Sequence, residues 1–197
     1  MNSEKFKKQM NFILEIDKAK NIFRQTYISN KERKENDAEH SWHLAIMAFI
    51  LSEHFDKEID VLKVIKTVLM HDLVEIYAGD TYCYDMKANE DKEKREIEAA
   101  KKIYSLLPDE QREEYFKLWR EFEEKSTPEA VFANILDRIQ PILLNYATGG
   151  KAWKEHGIYN SQVLERNKFV LENNDEFSKY LFEIIENAVN EGMLKIK

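Results

Sequence analysis

The feature that most constrains this fold is an aspartate inside the apolar stripe of a predicted helix. Apolar residues recur at intervals of three and four from Val61 to Ile76, the spacing of a helix face that packs against a core, and Asp72 lies on that face. An ionised carboxylate there must be paired or must bind a cation, because burying a bare charge costs several kcal/mol or more. His71 precedes Asp72 and Glu75 lies one turn beyond it, so this stretch predicts a metal site.

The composition favours a fold made of helices. Five glycines and three prolines among 197 residues, with almost no alternation of β-branched residues, leave few of the signals that mark strands and turns. Hydrophobic residues make up 43% of the chain and charged residues 34%, which is ordinary for a globular protein. We expect an all-α, single-domain bundle of about 7–9 helices over residues 1–197, with a metal-binding core at about 15–150 and C-terminal helices at 160–191.

Charge and cysteine content argue against several classes of protein. The net charge of −7 predicts no general attraction to nucleic acids or anionic membranes. Cys83 is the sole cysteine, so neither a disulfide framework nor a thiolate metal cage is available. No apolar run approaches the ~20 residues of a membrane span, and the N-terminal residues do not resemble a signal peptide. We therefore expect a cytoplasmic protein with no nucleic-acid or membrane partner.

Two histidines lie in the first turns of a second predicted helix. Asn36 and Glu39 have the spacing of a capping box, so the helix is expected to begin there. Its apolar stripe comprises Trp42, Ala45, Ile46, Phe49 and Ile50. His40 and His43 are one turn apart. A lone histidine there would usually be structural, but the later His-Asp pair favours metal ligation, and spacing alone does not choose between the two.

A third helix supplies another acidic residue at an apolar position. Thr127 and Pro128 form a strong helix start, with a hydroxyl cap and a proline in the first turn. The helix that follows is apolar almost all round, so it is expected to be central, and Pro141 should kink it or loosen its last turns. Asp137 is flanked by apolar residues and is either a metal ligand or one half of a buried ion pair with Arg138 or another cation.

Further elements are predicted from apolar periodicity and from the breaks in it. Residues 4–20 are expected to form a first helix, with apolar positions Phe6, Met10, Ile13, Leu14 and Ile16. Residues 21–35 are expected to form a polar connection that carries two arginines. More helices are expected at 88–106, 109–124, 160–172 and 176–191. In the first of these, Arg95 or a nearby lysine is a candidate to face the site.

The candidate ligands define the kind of metal that would bind. One of the two early histidines, the His71-Asp72 pair and Asp137 would together supply two nitrogens and two carboxylates. Two carboxylates neutralise a divalent cation, and mixed imidazole and carboxylate ligation suits one transition metal ion, Mn, Co, Fe, Ni or Zn, better than Mg or Ca. Asp80, after the Gly79 helix stop, is either a turn residue or a further carboxylate over this site.

Taken in order, His40, His71-Asp72 and Asp137 resemble the H…HD…D signature of the HD-domain metal-dependent phosphohydrolases. The finer patterns at residues 39–43, 71–76 and 79–80 are similar to those of the bacterial 5′-deoxynucleotidases and their eukaryotic HD-domain relatives. The resemblance covers roughly residues 15–150. It implies a helical, usually homodimeric enzyme that hydrolyses deoxyribonucleoside 5′-monophosphates, a small-molecule phosphate ester, to nucleoside and phosphate by a metal-activated water.

The same resemblance assigns roles to individual residues. It implies as metal ligands His40, His71, Asp72 and Asp137. Glu75 matches the carboxylate that orients or deprotonates the attacking water, and Asp80 matches the acidic residue near the sugar and that water.

Other residues of the matched region are candidates for holding the substrate. The phosphate-binding arginine matches Arg24, with Arg33 as the second choice, since a guanidinium fork suits phosphate. Within the matched motif, Ser41 and Trp42 are further substrate-binding candidates. Gln25 follows Arg24 where those enzymes carry a tryptophan.

Two other functions fit part of the same pattern. A metal-bound HD module could sense or bind nucleotides without turnover, although it would have no need of Glu75 and Asp80, and both are present. An HD phosphohydrolase could also act on another phosphoester, such as a cyclic dinucleotide or a guanosine polyphosphate. The Gly-Tyr-Pro triplet typical of the cyclic-dinucleotide branch does not follow the motif.

Overall fold

A computed structural model describes residues 2–85, 87–173 and 175–197. Nine α-helices of six residues or more and one four-residue helix occur in these ranges, which confirms the predicted all-α bundle. The helices are α1 (Asn2–Ile16), α2 (Asp37–Leu51), α3 (Val61–Met70), α4 (Glu75–Ala78), α5 (Lys92–Tyr104), α6 (Asp109–Glu124), α7 (Pro128–Ala147), α8 (Lys151–His156), α9 (Asn160–Leu171) and α10 (Glu176–Asn190). Two short antiparallel strands, β1 (Phe23–Tyr27) and β2 (Lys34–Asn36), lie between α1 and α2.

Helix α7 is the centre of the bundle, as its nearly continuous apolar sequence predicts. It packs against α2, α3, α6 and α10. Its Phe132, Ile135 and Leu136 are fully buried in the main core, together with Val64 and Val68 of α3. Because the same helix carries Asp137, a residue of the predicted metal site is anchored on the central helix of the core.

The predicted helix starts are present with the expected caps. Asn36 accepts from the backbone nitrogen of Glu39, whose side chain accepts in turn from the backbone nitrogen of Asn36, which completes a capping box for α2. Thr127 caps α7 by accepting from the backbone nitrogen of Ala130 at 3.2 Å. Asp60 caps α3 through two backbone nitrogens.

The expectation of a plain polar connection at residues 21–35 is wrong. The segment contains strand β1 and most of β2, joined as a hairpin. These strands are five and three residues long, and neither shows the sustained alternation by which a strand is recognised in sequence. The hairpin matters for the site because β1 lies against α7 and carries Arg24.

The apolar positions predicted on α1 and α2 lie largely on the surface. Leu14 of α1 is 75% exposed and Trp42 of α2 is 63% exposed. Other large apolar side chains of these two helices are also exposed: Phe6, Met10, Ile13, Phe49 and Ile50. The buried face of α2 instead carries His40, Leu44 and Ala48. Periodicity identifies an apolar face, but it does not determine which neighbour covers that face.

The helix predicted to run through to Ile76 is interrupted. α3 ends at Met70, and a 3₁₀ turn spans His71–Val74 before α4 begins. The tighter winding of this turn changes the directions of adjacent side chains, which places His71 and Asp72 together over the site. The helix is therefore interrupted at the His71-Asp72 pair.

The C-terminal helices α9 and α10 contribute Val163, Val170 and Leu181 to the main core. The expected division into one domain with a core at about 15–150 stays a prediction. Across the described residues, no helix combines the length and the apolar composition that crossing a membrane requires.

Candidate metal centre and active site

A cavity of about 220 Å³ opens beside the His71–Val74 turn. Its walls come from β1, the turn itself, the loop after α4, and helices α5, α6, α7 and α9. The predicted site residues that line it are Arg24, His71, Asp72, Glu75, Asp80 and Asp137. Six side chains that are distant in sequence therefore meet at one cavity.

The His71 ring is held with one nitrogen free for a ligand. Its Nδ1 lies 2.9 Å from the carbonyl oxygen of Val68, which can only accept, so Nδ1 carries a proton and donates. The opposite nitrogen, Nε2, is buried, has no hydrogen-bond partner among the described residues, and lies 3.1 Å from Asp72 Oδ1. A backbone carbonyl that fixes the tautomer in this way is typical of a metal-binding histidine.

The His40 ring is held in the same sense by a side chain. Gln140 donates from Nε2 to Glu35 at 2.7 Å, so its Oε1 faces His40 Nδ1 at 3.0 Å and accepts the proton there. His40 Nε2 then points to Asp137 Oδ1 at 3.1 Å. His43 lies on the far side of this network, with Nδ1 3.2 Å from the Gln140 amide. The geometry therefore brings His40, and not His43, to the group formed by His71, Asp72 and Asp137.

The four predicted ligands converge. Ligand atoms of His40, His71 and Asp72 lie within 4.8 Å of one another, and Asp137 Oδ1 lies 3.8 Å from His71 Nε2. Burial opposes ionisation of Asp137, but its hydrogen bond to His40 and the nearby charges of His40 and His71 hold its pKa well below the usual value. The unpartnered His71 nitrogen and the two-nitrogen, two-carboxylate donor set fit a divalent transition metal.

Protonation of the site is coupled to any cation that binds there. Burial lowers the pKa of His71, but Asp72 and Asp137 outweigh burial and raise this pKa to about 10. When no metal ion is bound, a proton on His71 Nε2 thus offsets part of the negative charge of Asp72 and Asp137. Metal binding at this nitrogen requires the neutral ring, so it would release that proton.

Next to the ligand group lies a second set of buried acids. Glu75 is 5% exposed, and within the part of the chain that the structure describes its Oε2 has no hydrogen-bond partner. Its pKa is raised well above the usual value by burial and by Asp72 and Asp37. Arg24 Nη1 donates to Asp72 Oδ2 at 2.7 Å and lies 3.5 Å from Asp37 Oδ1, so one guanidinium bridges these carboxylates.

Asp37 is a site residue to which the sequence assigned no role. It is 2% exposed, and burial and the charge of Asp72 raise its pKa to about 7. A signal was available, since Asp37 lies three residues before His40 and so on the same face of α2. Gln140 lies three residues after Asp137 and so on the same face of α7.

The loop after α4 brings Asp80 to the cavity. Arg95 of α5 donates to the carbonyl oxygen of Ala78 at 2.8 Å and to Thr81 Oγ1 at 3.1 Å, on either side of Asp80. Arg95 therefore holds the loop instead of facing the site, whereas Lys92 lines the cavity. Burial raises the pKa of Asp80.

Three of the proposed substrate residues lie elsewhere. Arg33 is exposed and forms a two-point ion pair with Glu39. The Trp42 side chain is on the surface of α2. Ser41 is buried and lines a separate groove between α1, α2 and α3. Of the two candidates Arg24 and Arg33, the structure therefore brings Arg24 to the cavity, and it brings neither Ser41 nor Trp42 there.

Several cavity residues have no counterpart in the sequence-based prediction. Tyr82 and Tyr84, from the loop after Asp80, pack edge to face with centroids 5.3 Å apart on the cavity wall. A basic group on the same wall comprises Lys125, Arg138 and Arg166. No local pattern marks the basic group, because its members come from different elements.

Comparison with known proteins identifies the family. A model described as the HD domain matches residues 16–178, which include every element that lines the cavity. The chain belongs to the HD domain family. Membership in this family and the clustered ligand atoms together indicate a divalent-metal site.

Relatives of this HD-domain chain carry more specific descriptions. Human 5′-deoxynucleotidase HDDC2 is 32% identical over 135 residues, which are 68% of this chain and 65% of the human protein. The chain thus spans somewhat less than two thirds of that relative. A crystal structure from Magnetospirillum magnetotacticum MS-1, described as a predicted metal-dependent phosphohydrolase, is 43% identical with a TM-score of 0.91, and the match covers 97% of this chain and 96% of that one.

A more distant structure supports the fold alone. The HD-domain phosphohydrolase from Listeria innocua is 19% identical with a TM-score of 0.65, and the match covers 94% of this chain and 91% of that one. The helical architecture is therefore retained where most residues differ.

Proposed function

We propose that this protein is a metal-dependent phosphohydrolase that converts (deoxy)ribonucleoside 5′-monophosphates to nucleoside and phosphate. The observation that carries the proposal is the pairing of two tautomer-fixed histidines, His40 and His71, with Asp72 and Asp137 at one cavity. The names of the human and Magnetospirillum relatives support the same reaction class.

The residues of the cavity supply the chemistry of hydrolysis. When bound at the His/Asp group, a divalent metal would polarise a phosphoryl oxygen, acidify a water and favour the ionised form of Glu75. Glu75 aims the water at phosphorus and accepts its proton. The Arg24 guanidinium balances negative charge on the equatorial oxygens, because its five N–H donors exceed the contacts it makes with Asp72 and Asp37.

The rest of the cavity suits the nucleoside. Asp80 lines the same cavity as Glu75, and its carboxylate can accept a hydrogen bond from a sugar hydroxyl of the substrate. Tyr82 and Tyr84 offer aromatic surface for a base, in place of the tryptophan that Gln25 replaces after Arg24. Base stacking is thereby assigned to the loop after α4.

Phosphate release from the common ribo- and deoxyribonucleoside 5′-monophosphates, with Mn, Co, Zn and Mg in parallel, tests the proposal. We expect turnover by the wild type and a fall in kcat of about 10²–10⁴-fold in Glu75→Gln, the range for loss of a general base. Metal content of Glu75→Gln should match the wild type, because Glu75 is outside the ligand set.

Other outcomes would favour the alternatives. A metal-loaded wild type that binds nucleotides without releasing phosphate would favour a sensing module. Turnover confined to phosphodiesters or polyphosphates would favour another HD phosphohydrolase. Loss of metal together with activity in Glu75→Gln would contradict the separate role given to that residue.

We also propose that the protein is a homodimer. The exposed apolar side chains of α1 and α2 support this, because contiguous surface of that kind usually marks an interface. Ile13 of α1 and Leu69 of α3 line one groove, with Ser41 at its base. A cytoplasmic location and the lack of nucleic-acid or membrane partners stay predictions.

A further inference from the structure

We infer that the cavity contains a second anion-binding subsite, formed by Lys125, Arg138 and Arg166, which holds a phosphate group on the leaving-group side of the substrate. This inference rests on the proposed function. It narrows the substrate class to phosphomonoesters whose alcohol carries a second phosphate, such as nucleoside 3′,5′-bisphosphates.

The three cations lack the partners that other basic residues of the site possess. Lys92 lies 3.1 Å from Glu96, and Arg24 lies 2.7 Å from Asp72. Lys125, Arg138 and Arg166 form no ion pair with any carboxylate in the described ranges, and the buried Nε of Arg138 has no hydrogen-bond partner. Unpaired guanidinium groups in a cavity are suited to an anionic ligand.

These side chains also lie close enough to repel one another. Burial and the charges of Arg138 and Arg166 lower the pKa of Lys125, against the opposing effect of Glu123. Gathering repelling cations is unfavourable for folding, but a bound dianion would reverse the sign of the interaction.

The backbone conformation of Lys125 also supports a functional role for this residue. This residue directly follows α6 with a φ of 50°, in the left-handed region, where glycine is the common choice after a helix. Its side chain lines the cavity. Strained positions of this kind are found preferentially at functional sites.

We assign the reacting phosphate to Arg24, because Arg24 pairs with the proposed metal ligand Asp72, and a second phosphate of the substrate to the basic group, whose members pair with no proposed ligand in the described ranges. Arg138 directly follows Asp137, the proposed ligand on α7, so the subsite adjoins the reaction centre. In the reaction, the water oxygen bonds to the 5′ phosphorus, the bond from phosphorus to O5′ breaks, and the proton accepted by Glu75 passes to O5′. The second phosphate remains on the product and does not react.

Steady-state kinetics with deoxyadenosine 5′-monophosphate and deoxyadenosine 3′,5′-bisphosphate test the inference. In the wild type we expect the KM for the bisphosphate to be about tenfold lower than the KM for the monophosphate. This is the effect expected of one partly exposed, charge-assisted contact. Arg166→Gln should bring the ratio of the two KM values to about one, and it should fold normally because Arg166 is exposed. Lys168→Gln, on the same helix but outside the cavity, should keep the wild-type ratio.

Failure of the subsite and failure of the proposed function give different results. Turnover of the monophosphate with a KM ratio near one in the wild type would overturn the subsite alone. If no nucleotide is hydrolysed, the proposed function fails, and calorimetry with inorganic phosphate on chelator-treated protein then decides on the subsite. Binding that weakens about tenfold in Arg166→Gln but not in Lys168→Gln would support it; equal binding or none would overturn it.

Discussion

Gln140 shows how one uncharged side chain can set the chemistry of a charged site. The amide nitrogen of Gln140 donates to Glu35, so the amide oxygen of Gln140 must face His40 Nδ1. The proton on Nδ1 leaves the lone pair of His40 Nε2 directed at the metal site. A buried network of this kind holds the ring in one orientation because every alternative leaves a polar atom unpaired.

Replacing Gln140 with leucine should therefore weaken metal binding. Loss of the bond to Nδ1 frees the His40 ring and its tautomer, and removal of such an outer partner typically lowers metal affinity about 10–100-fold. Competition with a chromophoric chelator measures the change. Thr148→Val is the control, since buried Thr148 bonds only to carbonyls at the end of its own helix. An equal loss of affinity in both variants would show that general destabilisation is responsible.

At the residue scale, the structure brings the groups of the ordered motif together and leaves several other candidates apart, while the roles of all of them stay predictions. His40, His71, Asp72 and Asp137 meet as the ordered motif indicated. Arg33 and Trp42 do not reach the cavity, because adjacency in a motif does not specify on which side of a hairpin or helix a side chain lies. The roles proposed for Glu75 and Asp80 stay predictions.

At the scale of elements, the junction between α7 and α8 depends on one close approach. Gly150 adopts a φ of 72°, and a Cβ there would lie 2.6 Å from Met193 Cβ and 2.9 Å from the Met193 carbonyl oxygen. Gly192 has a similar φ of 68°, but a Cβ there would meet nothing within 4 Å. A substitution at Gly192 therefore tests the effect of backbone strain alone, whereas one at Gly150 tests backbone strain together with the steric contact.

We expect Gly192→Ala to lower the free energy of unfolding by about 1 kcal/mol, the cost of left-handed backbone alone. Gly150→Ala should lower it by about 3 kcal/mol, because the C-terminal segment must also move away from the α7–α8 turn. Denaturant unfolding of both variants measures the difference. Equal losses would mean that the contact with Met193 contributes little.

The elements that escaped sequence analysis were the short ones. The β1–β2 hairpin and the 3₁₀ turn at His71–Val74 span too few residues for a periodic pattern to develop. Long helices were predicted well: residues 109–124 and 176–191 correspond to α6 and α10 within one residue. Length therefore determined which local predictions succeeded.

At the scale of the whole molecule, the proposed dimer can be tested on its apolar surface. Ile13 is 55% exposed beside the groove between α1, α2 and α3, and a glutamate there would place charge in the proposed interface. We expect the wild type to have about twice the 23.5 kDa chain mass by light scattering. Ile13→Glu should have the mass of a monomer.

Ile196 provides the matched control for that experiment. It is 74% exposed near the C-terminus, away from the groove, so Ile196→Glu introduces the same charge at a similarly exposed position. This variant should keep the wild-type mass. A monomeric wild type, or a dimer that survives Ile13→Glu, would exclude this face as the interface.

The sequence by itself determined the helical class, most helix boundaries and the set of groups able to hold a metal, because periodicity, caps and ligand chemistry are local properties. Tertiary structure alone decided that Arg24 enters the cavity, that Gln140 orients His40, that the stripes of α1 and α2 face outward, and that Lys125, Arg138 and Arg166 line the same cavity. Each of these depends on which distant segments become neighbours. The packing of the whole chain settles that choice, and no single stretch of sequence records it.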